Sequence, residues 1–150
     1  MRFKLIWVGK TRNANWKALQ SDYLQRLSHF VNCEIIEVKD AKESNAVEIE
    51  GNRLLAQLNH SSFVVLLDVK GRMLSSTELA TQIEAWQVRG LREIAFVVGG
   101  SAGVSSAVAH RADFAVSLSF LTFTHEMARV VLLEQLYRAF TIIKGFPYQK

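Results

Sequence analysis

The chain contains very little cysteine and proline, and cysteine is the residue that cross-links small secreted proteins through disulfides. Its 150 residues include one cysteine, Cys33, and one proline. One thiol cannot form an internal disulfide, and no second thiol is available to help it hold a zinc ion. The scarcity of proline and the absence of low-complexity tracts argue against a linker or a disordered tail. We therefore expect no metal site, and we interpret Cys33 as a small residue in a strand.

Long apolar runs are also absent. No stretch approaches the roughly 18 apolar residues that cross a bilayer, and Lys4 interrupts the apolar start where a signal-peptide core would have to lie. We therefore expect a cytoplasmic protein without a membrane partner. Hydrophobic residues make up 49% of the chain and charged residues 21%, as in ordered globular proteins. A chain of this length supports one domain, which we place at residues 1–150.

Positive charge is concentrated near the amino terminus. The net charge is +4, and residues 1–30 carry six basic side chains against a single acid, Asp22. The basic residues are Arg2, Lys4, Lys10, Arg12, Lys17 and Arg26. Aromatic residues are interleaved with them: Trp7, Trp16, Tyr23 and Phe30. This mixture suits phosphates and exposed bases, although the aromatic rings could equally face the core. The basic residues predict a polyanionic partner.

Strands and helices alternate along the sequence. The apolar patterns predict strands at 3–8, 34–38, 63–68, 94–98 and 115–118. They predict helices at 15–30, 46–58 and 127–143, and a further helix opened by a capping box of Ser75 and Glu78. Continuous apolar runs indicate strands that are buried on both faces. We therefore predict an α/β fold with a mostly parallel sheet and helices on both faces, with ligands bound at strand ends.

The final predicted helix is apolar on most of its faces. Such a helix is hard to cover within one small chain, so we expect part of it to meet a second copy. Glu134 and Arg138 form an i,i+4 pair along it, which contributes only a few tenths of a kcal/mol when solvated. Arg138 therefore fits a contact with an anion or a substrate as well as it fits an ordinary pair at the helix edge.

The glycine-rich segment 99–103 allows two interpretations. It reads Gly-Gly-Ser-Ala-Gly, which fits a nucleophile elbow, and Asp113 and His125 follow Ser101 in the order of an α/β-hydrolase triad. Against a hydrolase, these three residues lie unusually close in sequence, and no second glycine-rich segment supplies an oxyanion donor. Alternatively, the glycines let the backbone approach a flat ligand closely. The segment matches neither a Walker loop nor a dinucleotide fingerprint.

Taken in order, several segments resemble the knotted SPOUT-superfamily methyltransferases. Within that superfamily they are similar to the small family that N3-methylates a pseudouridine in large-subunit (23S) ribosomal RNA. The resemblance covers essentially the whole chain and is carried by residues 7–10, 67–71, 96–103, 118–125, 129–140 and 145–148. Each piece is weak alone, but their order and spacing together are specific.

The resemblance implies a deep trefoil knot formed by the chain from about Gly100 onward, and a homodimer with active sites at its interface. It implies S-adenosylmethionine as cofactor. The implied partner is ribosomal RNA, methylated on the assembled ribosome, with no role for DNA. The residues that would bind the cofactor are Leu67, Gly99, Gly100, Gly103, Ser119, Phe120, Leu121, Thr122, Phe123 and Thr124.

Methyl transfer from a sulfonium requires the acceptor nitrogen in line at about 3 to 3.5 Å. A proton must also leave the ring N–H, and the resulting anion must be stabilised. We predict His125 and Arg138 as catalytic residues, although His125 could equally be a simple loop histidine. The predicted substrate contacts are Arg129, Tyr148, Lys10 and Arg12, with Arg129 alternatively bracing the interface.

Two departures from the family pattern bear on mechanism. Gln149 stands where the family usually has histidine, and glutamine cannot act as a base at neutral pH. Ser101 and Ala102 replace a Pro-Glu pair of some relatives, so an acid in that loop is not essential. A catalytically inactive RNA-binding module of the same fold remains the alternative, and the serine hydrolase is disfavoured.

Overall fold

The computed structural model describes residues 1–148, so the departure at Gln149 lies outside the described residues. The strands are β1 (Arg2–Val8), β2 (Asn32–Val38), β3 (Phe63–Met73), β4 (Glu93–Val98) and β5 (Phe114–Ser117). The helices are α1 (Ala14–Ser28), α2 (Ala46–Leu55), α3 (Ser76–Val88), α4 (Ser106–Arg111) and α5 (His125–Lys144). The predicted elements are confirmed to within a few residues, except that β3 continues past Asp68 to Met73.

The strands form one parallel sheet in the order β2-β1-β4-β3-β5. All six residues of β4 are buried, as expected for the central strand of a sheet that is covered on both faces. The predicted α/β class is therefore confirmed. Because every strand runs the same way, all carboxyl ends meet at one edge of the sheet, which we call the carboxyl edge.

Helices cover both faces of the sheet. On one face, Leu27 of α1, Trp86 of α3 and Leu133 of α5 share a core with the sheet. On the other face, Leu54 of α2 and Val108 of α4 pack against a smaller core. Burying a large apolar side chain contributes about 1.5 to 3 kcal/mol, so these two layers fix the sheet and the loops at its edges.

The last helix is covered by its own chain more fully than its composition suggests. α5 packs between α1 and α3, and Leu133, Leu136 and Phe140 are fully buried along it. A half-buried stripe remains, formed by Met127, Val131, Glu134 and Arg138. These positions recur at helical spacing, so they lie on one face of α5.

Strand β3 pairs with β5 through two segments, on either side of an irregularity. Val116 pairs with both Leu67 and Arg72, because the residues between those two leave the ladder. A Cβ on Gly71 would lie 2.6 Å from the backbone carbon of Val116, so only glycine fits there. The trefoil knot implied by the resemblance stays a prediction.

The edge opposite the carboxyl edge carries a closed network of charges. Glu93, at the start of β4, is buried and contacts Arg2, Lys4 and Ser62. Burial raises the pKa of Glu93, but the hydrogen bonds from Ser62 and Arg2 and the charge of Lys4 outweigh it, and the net shift is downward.

No helix within residues 1–148 is long and apolar enough to cross a bilayer.

Candidate functional site

A cavity of about 420 Å³ opens at the carboxyl edge, between the ends of β3, β4 and β5 and the start of α5. This volume lies in the range of small-molecule sites. Most of the predicted cofactor residues line it: Leu67, Gly99, Gly100, Gly103, Ser119, Leu121, Thr122 and Phe123. Phe120 and Thr124 do not line it. The sequence prediction missed the charged wall of Asp68 and Lys70, which directly follow Leu67 and end the apolar run of β3.

Backbone rather than side chains forms the wall that follows β4. The Gly103 amide donates to the Gly100 carbonyl at 3.0 Å, which closes a tight turn. Gly103 has a φ of +89°, a conformation that side-chain-bearing residues rarely adopt. A Cβ on Gly99 would lie 2.6 Å from Val104. The glycines therefore allow the chain to fold back on itself beside the cavity.

The loop that follows β5 forms the facing wall. The Ser117 hydroxyl donates to the Ser119 carbonyl at 3.0 Å, and the Leu121 amide donates to the Ser119 hydroxyl at 3.0 Å. Thr124 then caps α5 by accepting from the Met127 amide. Leu121 is 72% exposed and Phe120 is 83% exposed. Exposed apolar side chains at a cavity mouth are typical of surfaces that a ligand or a partner covers.

The hydrolase interpretation is wrong, because its triad is not assembled. Asp113 lies at the amino end of β5, where its carboxylate accepts from the Val64 amide at 2.8 Å and pairs with Arg111 at 3.1 Å. Ser101 lies in the glycine turn at the opposite edge of the sheet. Ser101 and Asp113 are therefore separated by the length of the strands. Cys33 offers no other nucleophile, since burial raises its pKa to about 12.

His125 begins α5 and lines the cavity. Its side chain is exposed, so it can reach a molecule bound in the cavity. Ala128, one turn further along α5, lines the same wall. His125 and Ala128 therefore form part of the cavity wall, and the catalytic role of His125 stays a prediction.

Arg129, unlike the exposed His125, is fully buried, with 0% of its surface exposed. Its guanidinium donates to the Thr11 hydroxyl at 3.0 Å and to the Val8 carbonyl, and it lies 5.0 Å from the centre of the Trp7 ring. Burial lowers its pKa, and the charges of Glu37 and Glu126 partly offset this. A side chain without exposed surface cannot contact a substrate in this arrangement. Arg129 instead braces β1 and the loop after it against α5.

The basic amino-terminal residues divide into two groups. Arg2 and Lys4 pair with Glu93, and Arg26 pairs with Asp22. The remaining three are exposed and have no ion-pair partner within residues 1–148: Lys10, Arg12 and Lys17. Lys10 and Arg12 lie in the loop of residues 9–13, which follows β1 at the carboxyl edge. We call this segment the basic loop.

Arg138 and Tyr148 lie together near the other end of α5. Arg138 pairs with Glu134 at 2.6 Å, and its guanidinium carbon lies 4.7 Å from the centre of the Tyr148 ring. Burial raises the pKa of Tyr148, and the Tyr23 hydrogen bond and the Glu134 charge raise it further. Tyr148, Tyr23 and Arg26 line a second, open cavity with Pro147.

The two predicted catalytic residues do not meet within one chain. His125 and Arg138 both belong to α5, and an α-helix rises about 1.5 Å per residue, which separates them by about 20 Å along its axis. Tyr148 lies beside Arg138, and therefore also far from His125. One chain therefore presents a cavity at one end of α5 and an arginine–tyrosine pair at the other.

Comparison with known proteins gives a consistent picture. A family model described as predicted SPOUT methyltransferase matches residues 1–149. A Methanoregula boonei protein, provisionally named ribosomal RNA large subunit methyltransferase H, is 43% identical over 159 residues, with 100% of both chains covered. A Streptococcus pneumoniae protein named ribosomal RNA large subunit methyltransferase H is 38% identical, again with 100% of both chains covered.

Solved structures with this fold are more distant in sequence. A probable methylase family protein of Haemophilus influenzae has a TM-score of 0.58 at 10% identity, covering 99% of this chain and 70% of that one. A probable methyltransferase of Bordetella pertussis has a TM-score of 0.57 at 14% identity, covering 92% of this chain and 95% of that one. At these identities the likeness bears on the fold alone.

Proposed function

Since the chain belongs to the SPOUT methyltransferase family, we propose that it transfers a methyl group from S-adenosylmethionine to N3 of a pseudouridine in 23S ribosomal RNA. The observation that carries this proposal is the match, over the full length of both chains, to proteins named ribosomal RNA large subunit methyltransferase H. The cavity at the carboxyl edge supports it, because the loops that the family resemblance implies for cofactor binding form its walls.

The residues of the cavity fit S-adenosylmethionine. Leu67, Leu121 and Phe123 supply apolar surface for the flat adenine ring, and the Gly100–Gly103 turn brings backbone close enough to hydrogen-bond polar edges. Leu121 is largely exposed, so a ligand that covers it gains binding free energy from that burial. When bound, the cofactor supplies a methyl group activated by its positively charged sulfur.

The protein has two tasks besides holding the cofactor. It must keep the acceptor nitrogen in line with the methyl group, and it must stabilise the negative charge that develops as the N3 proton leaves. We assign the stabilising charge to Arg138, whose guanidinium is held by Glu134 and Tyr148. His125, exposed at the cavity wall, is our candidate to accept the N3 proton.

We further propose that the active site combines two copies of the chain. Within one chain Arg138 lies about 20 Å from His125 along α5, whereas methyl transfer needs contacts of about 3 Å. The half-buried stripe on α5 and the exposed Phe120 and Leu121 offer surface for a second copy. Arg138 and Tyr148 of one protomer then complete the cavity of its partner.

The substrate is best presented by an assembled ribosome in the cytoplasm. The exposed cations of the basic loop suit RNA phosphates. Residues 1–148 form one sheet with its covering helices, so RNA recognition by these residues draws on the dimer surface and on the shape of the substrate.

Methyl transfer can be measured directly. Ribosomes from a strain that lacks this gene are incubated with the protein and labelled S-adenosylmethionine, and the RNA fragments are analysed by mass spectrometry. We expect one added methyl group, on N3 of a pseudouridine. Ribosome binding that weakens steeply with salt, without any transfer, would instead support an RNA-binding module that has lost catalysis.

A further inference from the structure

The first turns of α5 hold the basic loop from two sides. On the outer side, one carboxylate oxygen of Glu126 accepts from the backbone amides of Arg12 and of Asn13, the latter at 3.3 Å. The hydrogen bond from Arg12 lowers the pKa of Glu126. A negative charge in the first turn of a helix is also favoured by the helix dipole. Glu126 therefore stays ionised and fastens the loop to α5.

The inner side of the basic loop is held by the buried Arg129 and by Glu37. Arg129 donates to Thr11 and Val8. Glu37, at the end of β2, accepts from the Thr11 amide at 3.0 Å and from the Trp7 indole at 3.1 Å. Its carboxylate lies 4.0 Å from the Arg129 guanidinium. The loop backbone is thus fixed by charged side chains from two different elements.

The same helix turns also border the cavity. His125 and Ala128 line it, next in sequence to the residues that hold the loop. On the strand side, Val8 immediately precedes the loop and lies beside Gly100, where an added Cβ would be 3.4 Å from the Val8 side chain. The basic loop and the cavity therefore share one rigid support.

We propose that Glu126 and Arg129 are positioning residues, which hold the basic loop so that Lys10 and Arg12 meet the RNA backbone in register with the cavity. This inference rests on the proposed function, since it assumes an RNA substrate. Attraction between the two cations and RNA phosphates does not by itself require a fixed loop backbone. A loose loop carries the same two cations but must be ordered when RNA binds, and that ordering weakens binding.

The sharpest variant is Glu126→Ala, which removes the outer acceptor from a partly exposed position. We expect the KM for ribosomes to rise about tenfold, equivalent to about 1.4 kcal/mol of lost binding, while kcat and the Kd for S-adenosylmethionine stay within about twofold. Glu126→Gln keeps an oxygen that can accept from both amides, so it restores most of the wild-type KM.

Glu78→Ala is the matched control. Glu78 is also a first-turn glutamate that accepts from a backbone amide, that of Ser75, but it belongs to α3. Its loss weakens a helix cap by about 1 kcal/mol and leaves the KM for ribosomes unchanged. An equal rise in KM for both variants would mean that lost stability is the cause, and it would overturn the positioning role.

Two further measurements separate positioning from a direct contact. Amide hydrogen exchange at Arg12 and Asn13 accelerates in Glu126→Ala and not in Glu78→Ala. In a Lys10→Ala, Arg12→Ala background, Glu126→Ala adds little further loss, because the groups it positions are gone. Unchanged exchange, or full additivity of the losses, overturns the inference.

The inference and the proposed function fail in different ways. If the wild-type protein transfers no methyl group to ribosomes, the proposed function fails, and the positioning role of Glu126 and Arg129 fails with it. If the wild type transfers methyl groups and Glu126→Ala has the wild-type KM, the positioning role alone is overturned.

Discussion

The two ends of α5 differ in what they offer to catalysis. The amino end borders an open cavity, with the exposed His125 at its wall. The carboxyl half carries Arg138, paired with Glu134 and stacked near Tyr148. One end has room for a cofactor, and the other has a positive charge beside an aromatic ring. Since about 20 Å of helix lies between them, the site that we propose cannot be completed within one chain.

Two arginines on α5, Arg129 and Arg138, differ in how much of their side chains is exposed. Arg129 is fully buried and donates to Thr11 and Val8, whereas the Arg138 side chain is 26% exposed. An arginine with no access to solvent can brace a fold, and one at the surface can meet a substrate. Position in the fold, rather than residue type, therefore separates a structural role from a chemical one.

The largest effect is expected from Arg138→Ala. Removing a charge that stabilises the developing anion lowers the rate of methyl transfer about 100-fold or more. The free energy of unfolding changes by less than about 1 kcal/mol, because the pair with Glu134 is partly solvated, and the Kd for S-adenosylmethionine is unchanged. Single-turnover transfer, calorimetric titration and denaturant unfolding measure these three quantities.

Arg111→Ala is the control, because Arg111 forms an ion pair of similar exposure, with Asp113, at the amino end of β5. It should retain most of the transfer rate. If Arg138→Ala weakens cofactor binding as strongly as transfer, the assignment of the two ends of α5 to separate tasks is contradicted.

The next largest effect is expected at the cavity. Gly103→Ala meets no atom within 4 Å but must adopt a φ of +89°, which costs about 1 to 3 kcal/mol of strain. Moving this turn should weaken S-adenosylmethionine binding about tenfold. Gly90→Ala carries the same kind of strain, with a φ of +74° and nothing within 4 Å. Because Gly90 follows α3, this control should lose stability while keeping its affinity for the cofactor.

A smaller effect is expected from a charge network outside both ends of α5. The pKa of Glu93 is lowered in the folded protein. Its ionised form therefore stabilises the fold above the unfolded pKa of about 4.3, and this contribution is lost as pH falls through the lower folded value.

In Glu93→Gln the free energy of unfolding should therefore fall less steeply as pH is lowered towards 3. It should cost about 1 kcal/mol at pH 7, without changing methyl transfer by the folded protein. Unfolding in urea between pH 3 and 7 measures the first effect. A variant with the same acid dependence as the wild type would show that other carboxylates govern it.

The smallest effect is expected from Tyr148→Phe. Burial and hydrogen bonding raise the pKa of Tyr148 above its ordinary value, so its hydroxyl stays protonated throughout the working range. Losing the hydroxyl but keeping the ring beside Arg138 should slow transfer only about threefold. The pH–rate profiles of the two proteins should have the same shape below pH 10. A step that disappears in the variant would instead identify Tyr148 as an acid–base group.

Local patterns predicted most of the fold. Continuous apolar runs located β3 and β4, and the Ser75–Glu78 capping box is formed as predicted. The strand order was not predicted, because pairing depends on contacts between distant segments. The extension of β3 to Met73 was also missed, since residues 70–72 are Lys-Gly-Arg and carry no strand-like apolar pattern.

The candidate site was predicted unevenly, for a physical reason. The cavity walls follow strand ends, and strand ends can be located from apolar runs. Whether a charged side chain is buried depends instead on how helices pack, which the sequence does not state. Arg129 was therefore predicted at the substrate, and the attachment of Glu126 to the basic loop was not foreseen.

Mixing two inactive variants tests most directly whether the opposite ends of α5 from two copies form one active site. Gly103→Trp places a large side chain beside the cavity and should abolish cofactor binding, whereas Arg138→Ala retains it. When the two are mixed in equal amounts and allowed to exchange subunits, half of the dimers are mixed, and each of these holds one intact site. We predict recovery to about a quarter of the wild-type transfer rate. A mixture no more active than its separate components would contradict a shared site.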